Sequence, residues 1–159
     1  MRGSRIGAWL SLVRQGLAVE VGFGTHSLET LVAIAESVEQ GVYRPGSLAS
    51  SDRGIVVTLA NPPLRVGAFG GVRAWVDGSA VAPERLRVRA GAGGVWKAAS
   101  TLSEADPLVL APGRPTELAL DGIDRAPRRR VRVRLEFDSV AIPPLVWLEF
   151  DDELPEPSA

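Results

Sequence analysis

A single histidine restricts the catalytic chemistry that this sequence of 159 residues can support. A Ser-His-Asp triad would have to use His26, and a metal site could draw on one imidazole at most. His26 stands between Thr25 and Ser27, just before an apolar pattern with helical spacing, where such residues commonly cap a helix. The sequence also lacks cysteine, so it offers no thiolate ligand and no thiol nucleophile. We predict no catalytic residue, metal or cofactor, and retain His26 as a candidate ligand contact.

Paired carboxylates are the next groups that could do chemistry, and they occur at Asp121 with Asp124 and at Asp151 with Asp152. Glycosidase chemistry needs two acids that face each other across a cleft, one of them with a raised pKa. Adjacent acids at the end of a strand point to opposite faces. The sequence therefore favours turn-forming or solvated aspartates.

Two glycine-rich segments, residues 67–71 and 91–94, could suggest a phosphate-binding loop. Neither segment carries the Gly-Lys-Ser/Thr of such a loop, and neither has the strand-to-helix setting of a dinucleotide fingerprint. We predict that both segments are turns.

Four tryptophans could provide stacking surfaces for a ligand or a partner. Trp75 and Trp147 lie within strand patterns and are predicted to belong to the core. Trp9 and Trp96 lie in less regular stretches and are predicted to be exposed, Trp96 as a candidate ligand contact. The sequence leaves open whether these residues serve a sugar-binding platform or a subunit interface.

Composition and charge narrow the classes of partner. Hydrophobic residues make up 45% of the chain and charged residues 23%, which is typical of one folded domain. The 18 basic residues balance 19 acidic ones, so the overall field that attracts nucleic acid is missing. No apolar run is long enough for a membrane span, and the lack of cysteine suits a reducing compartment. We predict a cytoplasmic protein with no nucleic-acid or membrane partner.

The clearest periodicity lies between Arg128 and Phe150. Apolar residues at odd positions from 131 to 137 alternate with charged residues at even positions from 130 to 136, which predicts a strand with one buried face. A second β-favouring run follows at 145–150. If these two strands pair antiparallel, the arginines at 125–130 lie beside the acids at 149–156 and compensate them.

Short β-favouring segments recur from Gly54 onward, with turn residues between them. Asp77-Gly78 is the strongest of these turn signals. Such spacing predicts an antiparallel β-sandwich of the Ig-like or jelly-roll type, because a parallel sheet would need a helix between its strands.

One N-terminal α-helix is predicted over residues 27–40, where an apolar stripe begins at Leu28 and ends before Gly41. The fold class is therefore all-β with a single N-terminal helix. We divide the chain into an N-terminal extension at 1–53 whose helix packs on the sandwich, the β-sandwich itself at 54–154, and a frayed tail at 155–159.

Several local motifs follow one another between residues 54 and 150. They are a strand ending in Pro63-Leu64-Arg65-Val66-Gly67, a strand Val72–Gly78 with a Val-Asp-Gly turn, a strand Leu86–Arg89, an irregular segment at Trp96 and a Leu-Ala-Pro-Gly turn at 110–113. In this order of motifs the chain resembles the small (beta) subunit of bacterial C-glycoside deglycosidases, although the N-terminal helix departs from that family. The resemblance implies a β-sandwich that partners a larger barrel subunit, which holds a divalent metal and cleaves the carbon–carbon bond of a 3-oxo-glycoside. It assigns no active residue to this chain.

We therefore expect a non-catalytic accessory subunit that stabilises and completes the active site of a larger, metal-dependent, barrel-type enzyme. A carbohydrate-binding β-sandwich module and a self-associating structural protein are the alternatives. The candidate partner contacts are apolar residues near both ends of the chain: Trp9, Phe23, Tyr43, Ala141, Ile142, Pro143, Pro144 and Leu145.

Overall fold

The computed structural model describes residues 42–60, 66–139 and 145–156. Within these ranges the chain is built from two antiparallel sheets, which confirms the all-β prediction. The predicted helix at 27–40 lies outside the described residues, as does the tail beyond residue 156. The same holds for six of the candidate contacts and for the candidate ligand residue: Trp9, Phe23, Ala141, Ile142, Pro143, Pro144 and His26.

The first sheet has five strands, which are β1 Ala49–Ser50, β2 Gly54–Leu59, β5 Leu86–Ala90, β6 Lys97–Ala98 and β8 Thr116–Asp121. Their order across the sheet is β1-β2-β8-β5-β6. Two short 3-10 helices, Pro83–Arg85 and Ala99–Thr101, flank β5 and β6 along the chain. Strands that are distant in sequence, such as β2 and β8, lie side by side in this sheet, so its register is set by tertiary pairing.

The second sheet is built from β3 Val66–Val76, β4 Ser79–Ala80, β7 Leu108–Leu110, β9 Arg130–Ser139 and β10 Leu145–Glu153. Its order is β10-β9-β3-β4, and β7 also pairs with β3. The predicted turn between β3 and β4 is confirmed. Asp77 and Gly78 have φ values of 50° and 83°, the positive values that a tight hairpin turn requires.

Residues from both sheets contribute to one hydrophobic cluster. In β9 the alternation runs as the sequence predicts, with Val131, Val133 and Leu135 fully buried. In β2 the side chains of Ile55 and Val57 are equally inaccessible to water. Burying an aliphatic side chain of this size contributes about 1.5–3 kcal/mol relative to leaving it exposed, so these inward faces hold the two sheets together.

Residues 42–50 belong to the folded β-structure, although the sequence-based division places them in the N-terminal extension. β1 pairs with β2, and Val42 and Leu48 are buried in the hydrophobic cluster. Tyr43 forms an isolated bridge with Leu59 of β2 and stacks its ring on Phe150 of β10. Because one residue touches a strand of each sheet, this segment links them along one side of the core.

The segment Gly67–Gly71 is not a turn, so the prediction made from its glycine content is wrong. It lies inside β3, and the pairing of β3 with β9 shifts register between Phe69 and Gly71, which marks a β-bulge. Glycine is common at bulges because it adopts their backbone conformations at little cost. In the remainder of β3, toward Asp77, the side chains alternate regularly between the outer and the inner face of the sheet.

Candidate functional site

The outward side chains of β3, β9 and β10 form three rows on one surface of the second sheet, which we call the Trp/Arg face. The strand register fixes these rows because opposed residues point to the same side. The rows consist of Arg73, Glu136 and Trp147, then Trp75, Arg134 and Glu149, then Asp77, Arg132 and Asp151.

Trp75 and Trp147 are half-buried on this outer face and do not belong to the core. The prediction that both are core residues is wrong. In β3 the buried residues are Val72, Ala74 and Val76, so Trp75 lies on the opposite side of the strand. The same alternation in β10 turns Trp147 outward.

Each tryptophan ring on the face has a guanidinium beside it. The guanidinium of Arg134 lies 4.8 Å from the ring centroid of Trp147, and that of Arg73 lies 5.9 Å from the ring of Trp75. These distances fit cation–π contacts, which favour a fixed orientation of both groups. The rings are therefore part of an ordered surface.

Glu136 is the anchor of this surface, by which we mean the carboxylate that contacts both Arg134 and Arg73. Its residue is only 8% exposed although it lies on the outward side of β9. It accepts hydrogen bonds from Nε and Nη2 of Arg134 at 3.0 and 2.8 Å, and Nη2 of Arg73 lies 3.2 Å from its other oxygen. A buried carboxylate needs such partners, since its charge is costly to remove from water without them. Glu136 thus contacts both arginines that lie beside the tryptophan rings, and Arg73 also donates to Asp138 at 3.1 Å.

A second set of ion pairs holds the third row, which consists of Asp77, Arg132 and Asp151. Arg132 donates from Nε to Asp151 at 3.0 Å, and its backbone N–H donates to Asp77 at 2.9 Å. The neighbouring carboxylates raise the pKa of the Arg132 guanidinium, with the Asp151 hydrogen bond as the largest cause. Asp77 also pairs with Arg129, the last residue of the β8–β9 connection. The turn that ends β3 is thereby tied to β9.

Glu149 differs from the other acids on the face. Its carboxylate lies 3.7 Å from Arg134 and 3.9 Å from Arg132, and both arginines make closer contacts with other carboxylates. It borders a shallow open depression of about 790 Å³ that extends from Trp75 to Asp151. A carboxylate in this position can accept a hydrogen bond from an incoming donor group without breaking a close existing one.

The predicted charge compensation between the two ends of this region is confirmed. β9 and β10 pair antiparallel, which sets Arg130 opposite Glu153. Beyond the strands, Arg128 pairs with Glu156 at 2.6 Å. The arginine run therefore faces acids of its own chain.

Trp96, the candidate ligand contact, lies half-buried at the edge of the first sheet. The guanidinium groups of Arg87 and Arg89 lie 5.1 and 4.5 Å from its ring centroid. The adjacent Val95 is 82% exposed. The ring of Trp96 is thus already in contact with two cations, and its role with a ligand stays a prediction.

Tyr43 is buried, with 3% exposure, and so is not a surface residue that a partner could touch. Its ring stacks on Phe150 at 3.6 Å between centroids, and its hydroxyl donates to Asp152. Burial raises the pKa of the Tyr43 hydroxyl, and the hydrogen bond to Asp152 raises it further. Tyr43 is therefore a core contact and not the partner contact that the sequence predicts. Leu145, another candidate, is the first residue of β10 and pairs with Asp138.

Asp121 is predicted from the sequence to be turn-forming or solvated, and the structure shows neither. Its residue is 7% exposed and accepts hydrogen bonds from Nε and Nη2 of Arg87 at 3.0 and 2.8 Å. The contact depends on the pairing of β5 with β8, which places Arg87 next to Ala119. Sequence reasoning missed it because the two residues are 34 positions apart.

In the described parts of the chain, no group of three or more histidine, cysteine, aspartate or glutamate residues is placed to hold a metal ion. A search of the same residues for a helix with the length and apolar character of a membrane span finds none. No protein-family model matches the sequence, and no curated protein matches it either.

Proposed function

We propose that this chain is a non-catalytic accessory subunit that binds a larger protein through the Trp/Arg face. The observation that carries the proposal is the pair of half-buried tryptophans on one sheet surface, each with an arginine beside it. Tryptophan and arginine are the residue types most enriched where truncation weakens protein–protein binding. Trp75 and Arg134 line a depression of about 790 Å³, which gives a partner side chain a place to enter.

The internal order of the face also supports a docking role. Glu136 holds Arg73 and Arg134 before any partner arrives, so little side-chain freedom has to be lost on binding. The partial exposure of these arginines leaves donor groups at the rim. A rigid aromatic and charged surface of this kind favours a partner of matching shape over non-specific association.

The partner that we propose is a larger, barrel-type, metal-dependent enzyme, as in the C-glycoside deglycosidases that residues 54–150 resemble. In this arrangement the present chain completes the pocket of the partner, and the reaction takes place on the partner. We place the pair in the cytoplasm, in keeping with a chain that contains no cysteine.

We further infer that the two sheets pack face to face as a β-sandwich of Ig-like or jelly-roll type, with the N-terminal helix against it. The shared hydrophobic cluster and the stacking of Tyr43 on Phe150 support this packing. Such a scaffold leaves the outer surface of each sheet available for recognition.

A carbohydrate-binding module is the second candidate, and the two tryptophans on one face favour it. Sugars stack on free ring surfaces, however, and here guanidinium groups lie over Trp147 and near Trp75. A sugar would have to displace Arg134 from a ring and from its contact with Glu136. The geometry is therefore better suited to a protein partner.

The proposal is tested by co-purification from the native host with tagged chains. The wild type should retain a larger protein in stoichiometric amount, and the double variant Trp75→Ala/Trp147→Ala should lose it. Val95→Ala is the matched control, because it removes exposed apolar surface at the edge of the other sheet. Thermal unfolding of all three proteins should be compared, since only a folded variant is informative.

Retention of the partner by the folded double variant would show that the Trp/Arg face is not the docking surface. The second candidate, a carbohydrate-binding module, is tested by titrating the protein with several classes of oligosaccharide while tryptophan fluorescence is recorded. A saturable spectral shift in the wild type alone would favour sugar binding. A defined oligomer of the isolated chain on gel filtration would favour self-association.

A further inference from the structure

A second charged cluster lies at the end of β8, in the first sheet, and shares no residue with the Trp/Arg face. Three arginines converge there on one residue, Asp121. Arg87 binds both carboxylate oxygens, Arg53 lies 3.2 Å from one of them, and Nε of Arg85 donates to the Asp121 carbonyl at 2.9 Å. The cluster joins the β1–β2 turn, the 3-10 helix Pro83–Arg85 and strand β5.

The arginines differ in how far water reaches them. The side chain of Asp121 is 10% exposed and that of Arg87 is 22% exposed, whereas that of Arg53 is 60% exposed. Arg85 is also exposed. Asp121 and Arg87 therefore form the floor of the cluster, and the outer two arginines retain free donor groups.

A glycine is required for this arrangement. A side-chain carbon on Gly122 would stand 2.1 Å from Nη2 of Arg85, and Gly122 has a φ of 72°. Its N–H donates to the Arg53 carbonyl at 2.6 Å, which draws the β1–β2 turn toward the same point. Arg125 donates to the carbonyl of Ser51 in that turn but makes no contact with Asp121 among the described interactions.

The cluster is unbalanced in charge. Arg53, Arg85 and Arg87 share a single carboxylate, which leaves two positive charges without a matching acid in the network. The acids next to them in sequence, Asp52 and Glu84, form no ion pair within the described residues. Structural networks usually pair their charges, because an excess of one sign repels itself.

From this excess charge and the free donors we propose that the Asp121 corner binds a phosphoryl group. Arginine recognises phosphate through paired N–H donors in a fixed fork, which the outer two arginines can present. A phosphate or phosphate monoester carries a charge of about −1.5 to −2 at neutral pH, which matches the two unbalanced positive charges. A monocarboxylate carries a single negative charge and would leave one of the two positive charges unmatched.

The site holds the phosphoryl group by Arg53 and Arg85, while Asp121 fixes Arg87 beneath them. The ligand remains at the surface, so the group it carries can be small or large. This proposal is independent of the Trp/Arg face, because the two clusters lie on different sheets.

Thermal unfolding in inorganic phosphate, compared with chloride at equal ionic strength, tests the proposal. We expect a saturable rise in melting temperature with phosphate that chloride does not reproduce. Phosphoserine is the second probe, and it distinguishes a site for free phosphate from one that accepts a phosphate monoester. A response to phosphate alone identifies the free ion as the ligand.

Arg53→Gln removes the guanidinium of one of the two exposed arginines. We expect it to weaken phosphate binding about tenfold, because one charge-assisted hydrogen bond to the ligand is lost. Arg114→Gln is the matched control, since Arg114 is exposed and forms no ion pair in the described chain. Gly122→Ala should weaken binding as well, by displacing Arg85.

An absence of any saturable phosphate effect in the wild type overturns the proposal. So does equal weakening by Arg53→Gln and Arg114→Gln, which would indicate only general screening of charge. Because Arg53 is exposed and outside the core, its variant keeps the test valid even if Gly122→Ala fails to fold.

Discussion

Arg134 lies over the ring of Trp147 while the same guanidinium donates two hydrogen bonds to Glu136. The carboxylate therefore fixes the cation, and the cation fixes the orientation of the ring. Glu136 can do this because it is nearly inaccessible to water, so its contact with Arg134 is less screened than a surface ion pair. Glu136 thus fixes the aromatic part of the Trp/Arg face, although a docked partner would make little contact with Glu136 itself.

Glu136→Gln should destabilise the protein by about 1–2 kcal/mol, because it leaves two arginines without their shared anionic acceptor. Urea unfolding, followed by tryptophan fluorescence, measures this change. Glu153→Gln is the control, since Glu153 is exposed and forms no ion pair among the described residues. Equal effects of the two substitutions would mean that Glu136 is not an anchor.

Alanine substitutions at two glycines, Gly54 and Gly71, would cause two different steric clashes. The first is with the backbone of a neighbouring strand, and the second is with a side chain. A methyl group on Gly54 would lie 2.0 Å from the carbonyl oxygen of Leu120, in the neighbouring strand. On Gly71 it would lie 2.9 Å from Oδ2 of Asp138, at the end of a half-exposed side chain whose other oxygen pairs with Arg73 at 3.1 Å. We expect Gly54→Ala to cost more than about 2 kcal/mol and Gly71→Ala less than about 1 kcal/mol in unfolding free energy, both measured by urea unfolding. The reverse order would contradict the pairing of β2 with β8.

The sequence predicts the second sheet well wherever a strand has a strict period of two. The buried face of β9 and the turn at Asp77-Gly78 both follow from local pattern. The two tryptophans of the outer face are predicted to be core residues because they lie within strand patterns, although the alternation of Val72, Ala74 and Val76 places Trp75 on the other side. Period is the stronger signal there because the direction of a side chain in a strand is fixed by the backbone.

The Asp121 corner could not be predicted in the same way. Its contacts join residues of β5, β8 and the β1–β2 turn, and their meeting depends on the register of three strands that are separate in sequence. The burial of Glu136 is of the same kind, since the neighbouring arginines cover a position that the local pattern marks as solvent-exposed. The alternation of charged residues in a strand identifies its outer face. Which of these residues form ion pairs depends on how the strands pair in the tertiary structure.

Tyr43 should make the protein less stable at alkaline pH. Its folded-state pKa is raised above the usual value of 10.0, because burial and Asp152 disfavour the phenolate. The contribution to stability is fully present below pH 10 and is lost as pH rises from there toward the folded-state pKa, since the unfolded chain ionises first. The expected slope is up to about 1.4 kcal/mol per pH unit.

Tyr43 is the only tyrosine in the chain, so phenolate absorbance reports this residue alone. In the folded protein that absorbance should appear only above pH 10 and together with unfolding. Tyr43→Phe is the control: it keeps the ring stack on Phe150 and should remove the steep alkaline loss. Ordinary titration of the folded protein near pH 10 would contradict the buried hydrogen bond.

Asp77 combines three roles that a series of substitutions can separate. It has a φ of 50°, it accepts a hydrogen bond from the N–H of Arg132, and it pairs with Arg129. Asp77→Asn keeps the first two and loses only a partly exposed charge pair, so we expect a cost below about 1 kcal/mol. Asp77→Gly keeps the backbone conformation but loses the acceptor, which should add about 1 kcal/mol.

Asp77→Val should be the most costly of the three, because a β-branched residue is strained at positive φ by about 1–3 kcal/mol and also lacks the acceptor. Chemical unfolding of the three variants gives the order directly, with equal denaturant dependence as the check that the unfolded states are comparable. If Asp77→Asn were as destabilising as Asp77→Val, the ion pair with Arg129 would provide most of the stability that Asp77 contributes. The conformation of the β3–β4 turn would then follow from that pair and not from the preference of Asp77-Gly78 for a tight hairpin.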